Sequence, residues 1–202
     1  MAAVALILYG VYLLLAFGLR TLIQLRRTGS SGFHGVGGRP GSAEWLAGVG
    51  FTLALLLGVA APLLALLDVV EPIAALDGTV AHAVGVALAV AGIAATFSAQ
   101  VSMGASWRIG VDPQERTRLV TTGPFAFVRN PIFSAMLPTA LGLTLLVPSW
   151  VAAAGLLGLA IALELQVRVV EEPYLLRAHG QSYASYAARV GRFVPGVGRL
   201  QS

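Results

Sequence analysis

The sequence predicts an all-α, polytopic integral membrane protein of about five transmembrane helices with a C-terminal cytoplasmic helical segment. Three observations carry that prediction. The 202 residues are 57% hydrophobic and only 11% charged, against about 25% charged residues in an average soluble domain. The apolar residues come in runs long enough to cross a bilayer. The basic residues, thirteen against nine acidic ones and every one an arginine, fall on one side of those runs. A net charge of +4 on so apolar a chain is no nucleic-acid footprint, because duplex binding needs a dense basic face. Cysteine is absent, which excludes disulfide scaffolds, thiolate metal sites and cysteine nucleophiles.

The first run, Ala2 to Leu25, is broken only near its end by Arg20, Thr21 and Gln24. It is long enough for a hydrocarbon core of about 30 Å at about 1.5 Å per residue. Its charges, Arg20, Arg26 and Arg27, follow the apolar stretch, as in a retained span and unlike a cleaved signal peptide. Residues 28–43 are rich in glycine and serine and read as a flexible loop. Trp45 to Leu67 is the second span, closed by Asp68, Glu71 and Pro72. Val80 to Val101 is the third, with His82 near its outer end. With no second ligand at metal spacing, His82 reads as an interfacial, hydrogen-bonded side chain, and no metal is expected. After a polar segment from Ser102 to Asn130, the runs Ile132 to Val147 and Trp150 to Val167 are parted only by Pro148 and Ser149, which predicts a tight helical hairpin.

Five spans with the N-terminus outside place Arg20, Arg26, Arg27, Arg39, Arg108, Arg116, Arg118, Arg129, Arg168, Arg177, Arg189, Arg192 and Arg199 in the cytoplasm. The outer connection carries Asp68, Glu71 and Asp77 and no basic residue, the asymmetry expected of a cell-membrane protein whose C-terminus lies inside. Small residues four apart, Ala81, Gly85 and Ala89 and again Ala154, Gly158 and Ala162, predict close helix packing.

Polar residues are scarce, so their clustering from Gly104 to Pro131 and from Glu164 to Pro195 locates the candidate chemistry. On a continuous helix Glu164, Arg168 and Glu171 or Glu172 share one stripe. By composition alone this is a salt-bridged helix end at the membrane surface. Two adjacent carboxylates beside lipid are costly to ionise together, and a cationic ligand relieves that cost. Beyond Pro173, Leu176, Tyr183, Tyr186 and Val190 make an amphipathic segment interrupted near Gly180, an interfacial helix or the roof of a pocket.

The run Leu119 to Phe133 (LVTTGPFAFVRNPIF), the hairpin, Arg168, the pair Glu171 and Glu172, then Gly180, Tyr183, Tyr186 and a closing Arg192 to Pro195 resemble the isoprenylcysteine carboxyl methyltransferase and phospholipid methyltransferase family. The resemblance covers about the C-terminal half. The chain departs from the pattern at Asn130, where the family often has histidine, at Phe133 for tyrosine and at Ala135 for glycine. The resemblance implies a single domain, residues 1–202. Residues 1–101 supply N-terminal transmembrane helices and residues 102–202 the cofactor-binding and catalytic half. It implies S-adenosylmethionine as cofactor, bordered by Gly123, Pro124, Arg129, Asn130, Pro131, Phe133, Glu171 and Glu172 and enclosed by Tyr183 and Tyr186. A carboxylate and aromatic faces suit its sulfonium cation. The expected acceptor is a lipophilic or prenylated molecule entering from the bilayer, isoprenylcysteine carboxylate-like. Arg168 would hold one oxygen of a carboxylate acceptor, while an amine acceptor would lose its proton to Glu171 or Glu172. Two other classes compete. A nicotinamide-dependent reductase of sterol-like substrates would find phosphate contacts in Arg108, Arg116 and Arg118, and a non-catalytic scaffold would tolerate the departures.

Overall fold

The computed structural model describes residues 1–33, 35–110 and 118–200; Arg116 lies outside them. The bundle comprises α1 (Ala2–Thr28), α2 (Ala43–Leu66), α3 (Thr79–Met103), α4 (Pro131–Leu146) and α5 (Trp150–His179). A short α6 (Gln181–Arg189) follows. Among the described residues no strand forms, only two isolated bridges. Four helices are long and apolar enough to cross a membrane. The fifth, α4, has 16 residues, or about 24 Å at 1.5 Å per residue. Local sequence sets its limits. Pro131 opens α4 at the position where a missing N–H costs nothing. Ser149 starts α5 by accepting a hydrogen bond from the Ala152 amide, as Ser42 starts α2 by accepting one from Trp45.

Lipid gives helices no hydrophobic reason to associate, so small side chains make the contacts. Between α3 and α4 the seam is Gly85, Ala89 and Gly92 against Ala135, Thr139 and Gly142. A Cβ added at Gly142 would lie 2.5 Å from the Ala89 nitrogen. On α5 the expected stripe needs correction: Ala154 is exposed and Gly158 faces open space, whereas Ala152, Gly155, Leu159 and Ala162 are buried. An i+4 row drifts by about 40° per step, and the alternating three-and-four row stays on one face.

Two helices contain a π-turn, Leu14–Leu19 in α1 and Gln166–Glu171 in α5. Its i→i+5 hydrogen bonds add a residue to the turn and align side chains five apart. In α1 the buried face runs Ala5, Tyr9, Tyr12, Ala16, Arg20 and Gln24. Arg20, which the sequence places at a span boundary, is 1% exposed. Its guanidinium donates to the carbonyls of Gln100, at 3.3 Å, and Gly104, and stacks over Trp107 at 4.6 Å. It thereby caps the C-terminal carbonyls of α3, where a cation also opposes the helix dipole. Gln24 donates to Ala105 O at 2.9 Å and Gln100 to Ala16 O at 3.0 Å, completing the tie between the two helices.

The glycine-rich loop is also placed differently from expectation. Ile109 donates to Gly32 O at 2.7 Å, and Phe33 bridges Ile109, so the loop is tethered over the bundle. Gly32 has φ +69°, and a Cβ there would meet the Trp107 carbonyl at 3.1 Å, which explains glycine at this point. At the other end of the bundle His82 lies 3.0 Å from Asp77.

Candidate active site

The end of α5, α6 and the chain beyond fold back against the start of α4. Arg129 donates its amide to Gly191 O at 2.8 Å, and Asn130 donates both its amide and its Nδ2 to Arg192 O at 3.1 Å. Beneath this backbone pairing lies a buried ionic node. Glu172 Oε1 accepts from Arg129 Nη2 at 2.5 Å and from Arg192 Nε at 2.8 Å, and Oε2 accepts from Arg192 Nη2 at 2.9 Å. The three side chains are 8%, 1% and 11% exposed. Arg129 also donates to the carbonyls of Ala187, Val190 and Gly198. The hydrogen bond to Glu172 raises the affinity of Arg192 for its proton. One carboxylate and two guanidiniums thus join α4, α5 and the chain after α6.

Arg129, one member of the node, lines a cavity of about 340 Å³, within the range of about 300–1,000 Å³ typical of small-molecule sites. Its polar end is lined by Arg108, Arg118, Gln166, Glu171, His179 and Tyr183. Its apolar end is lined by Phe17, Phe51, Leu55, Ile132, Met136 and Leu163. The tethered loop closes one side with Phe33, Gly35 and Val36. Tyr186 donates its hydroxyl to Phe125 O at 2.5 Å and meets Tyr183 edge-on at 6.2 Å. Burial pushes the Tyr186 hydroxyl up to about 12 and also raises that of Tyr183, so both remain protonated donors.

Of the residues expected to border a cofactor, Arg129, Asn130, Pro131, Phe133, Glu171, Tyr183 and Tyr186 line this cavity. Gly123 and Pro124 do not. They begin the turn Gly123–Ala126, which carries Phe125 into the wall. The glutamate pair is divided: Glu172 is consumed by its two arginines, and Glu171, half-buried, faces the cavity. Neighbours on a helix point about 100° apart, and the π-turn sets which of the two faces the cavity. It aligns Gln166 with Glu171, and Leu175 and His179 follow at regular spacing along the cavity side. For the same reason the expected stripe through Glu164, Arg168 and the glutamates is interrupted.

Arg168 therefore lies outside the cavity. It pairs with Glu164 at 2.5 Å on the outer face, with the two side chains 58% and 45% exposed. Such exposed pairs contribute little. Arg168→Gln is expected to change stability by less than about 1 kcal/mol and to leave turnover per folded molecule unaltered. Melting curves and single-turnover assays on the purified variant check this; lost turnover with an intact fold would return Arg168 to the site.

Sequence reasoning missed several of the lining residues. Gln166 and His179 carried a signal, since they share a helix with Glu171. Phe33, Gln100, Trp107 and Phe17 come from elements that hydropathy marks only as loop or span.

The family model described as phospholipid methyltransferase matches residues 80–182, from α3 to the start of α6. Tyr183, Tyr186 and Arg192 fall just beyond the match. No curated protein matches the chain significantly. With half the chain matched, and with Arg129, Asn130 and the glutamate pair inside the matched segment, the protein belongs to the phospholipid methyltransferase family.

Proposed function

We propose that this membrane methyltransferase transfers a methyl group from S-adenosylmethionine to a lipophilic acceptor, isoprenylcysteine carboxylate-like, within the cavity. The observation that carries the reading is the joining of a polar end, where the Glu171 carboxylate meets Gln166 and lies near Arg108, to an apolar end between the helices. These residues fit the cofactor. Glu171 offers negative charge to a sulfonium, and Tyr183 and Tyr186 offer ring faces in a partly desolvated setting. When bound, S-adenosylmethionine supplies an electrophilic methyl group. The chain's task is alignment and exclusion of water, which its buried aromatic and aliphatic walls perform. Arg108 and Arg118, which line the cavity, take the orienting role expected of Arg168 toward an anionic acceptor.

The same two arginines are what the phosphates of a nicotinamide cofactor require, so a reductase is the second reading. Titrating S-adenosylmethionine, S-adenosylhomocysteine, NADH and NADPH into the purified protein in detergent separates the two. Saturable binding of the first pair is expected; binding of NADPH alone would replace the proposal.

We also propose that the cavity faces the cytoplasm, because the arginines gather at its end of the bundle. In sealed, oriented vesicles Ser30→Cys and Ser182→Cys should react with an impermeant thiol reagent from the inner face and Ala75→Cys from the outer. The reverse pattern would invert the topology.

A further inference from the structure

A second void, of about 50 Å³, lies between α1, α2, α4 and α5. On every one of these helices it sits farther from the ionic node than the main cavity does. It is lined by Ala5 and Tyr9 on α1, by Ala54 to Pro62 on α2, by Ala140 to Thr144 on α4 and by Ala152 to Leu159 on α5. Three side chains, Tyr12, Leu55 and Met136, line both spaces, so they form the partition between them. The two spaces are therefore stacked along the bundle axis. The aromatic row continues across: Tyr9 stacks on Tyr12 at 5.9 Å, and Tyr12 meets Phe17, in the main cavity, at 6.0 Å.

The chamber is lined with hydrocarbon. Three of its hydroxyls are spent on the backbone: Tyr9 donates to Leu55 O at 2.8 Å, Thr139 to Ala135 O and Thr144 to Ala140 O at 2.9 Å. A water needs about two to four polar partners, and these walls offer few. Small residues at Ala54, Gly58 and Gly155 keep the space open where larger ones would close it. At Gly58 an added Cβ would press on the Tyr9 ring and hydroxyl at 3.0 Å.

We propose that the chamber receives the end of the acceptor's hydrocarbon chain. The partition of Tyr12, Leu55 and Met136 thereby measures chain length inside the bundle instead of leaving the tail in surrounding lipid. The inference rests on the proposed function, since it assigns a polar head to the main cavity and a long apolar tail to the acceptor.

The test is equilibrium binding of two probes, N-acetyl-S-geranylcysteine and N-acetyl-S-farnesylcysteine, to the full chain in detergent, with S-adenosylmethionine affinity and melting measured in parallel. Ala54→Leu and Ala140→Leu fill the chamber from different helices, and Met136→Ala widens the partition. The filling variants should lose about tenfold in affinity for the farnesyl probe, equivalent to roughly two buried methylene groups, and little for the geranyl probe. Met136→Ala should strengthen the farnesyl probe selectively. If either filling variant melts normally and the two probes keep their wild-type affinity ratio, the chamber is not the tail site. The inference also falls if the farnesyl probe does not bind the wild type. Failure of S-adenosylmethionine to bind the wild type would instead overturn the function reading, because neither probe measurement depends on methyl transfer.

Discussion

Glu172→Gln is expected to destabilise the protein by roughly 3–5 kcal/mol, the cost of leaving buried charges without their counter-charge. The substitution is nearly isosteric, so packing is preserved and electrostatics changes alone. Arg129 and Arg192 would then share a buried site with no carboxylate between them. Because the node joins α4, α5 and the chain after α6, the cavity's polar end should loosen with it, and cofactor affinity should fall as a secondary effect. Thermal melting in detergent reads the first effect. Adding Arg192→Gln to Glu172→Gln removes one of the two stranded cations and should recover part of the loss, a coupling that a double-mutant cycle measures. A Glu172→Gln protein that melts like the wild type would show that the node contributes nothing.

Its neighbour should behave in the opposite way. Glu171→Gln is expected to move the melting temperature less than Glu172→Gln does, because an amide can keep the hydrogen bond to Gln166 and the nearby Arg108 lines a cavity instead of the buried node. It should weaken S-adenosylmethionine binding at least tenfold, about 1.4 kcal/mol, because a neutral amide cannot oppose a sulfonium in a partly desolvated cavity. S-adenosylhomocysteine, which lacks the positive charge, should lose much less. Isothermal titration of both ligands tests this split. Equal losses for the two ligands would assign Glu171 a steric or hydrogen-bonding role in place of a charge-based one.

The difference between these neighbours marks what the sequence can express. Hydropathy located all five bundle helices, because an apolar run of sufficient length has few alternatives in a bilayer. Pro131 and Pro148 with Ser149 delimited the short α4 and the start of α5. Several residues that line the cavity were also legible, Asn130, Phe133, Glu171, Tyr183 and Tyr186 among them. The roles within the glutamate pair were not. A helical wheel assumes constant pitch, and neither LLAFGL nor QVRVVE contains a residue that announces a π-turn. Arg20 was misplaced for a related reason. Hydropathy treats an arginine near the end of a span as a boundary, whereas here the open carbonyls of α3 draw it into the bundle. The tether of the glycine-rich loop escaped because a single bridge between Phe33 and Ile109 leaves no periodic trace.

The π-turn in α5 also governs how related chains can be compared. Deleting one residue between Gln166 and Val170 would restore an unbroken α-helix and leave everything beyond nearly in phase, because the wide turn takes up one extra residue. Glu171 would still face the cavity and Glu172 its arginines, with Gln166 and Glu171 four residues apart instead of five. An ungapped alignment of such a chain with this one would instead pair residues that face different surroundings. Helical phase, counted from the turn, is therefore the coordinate in which this segment of the family has to be aligned, and a gap belongs inside the turn, where one residue can be gained or lost.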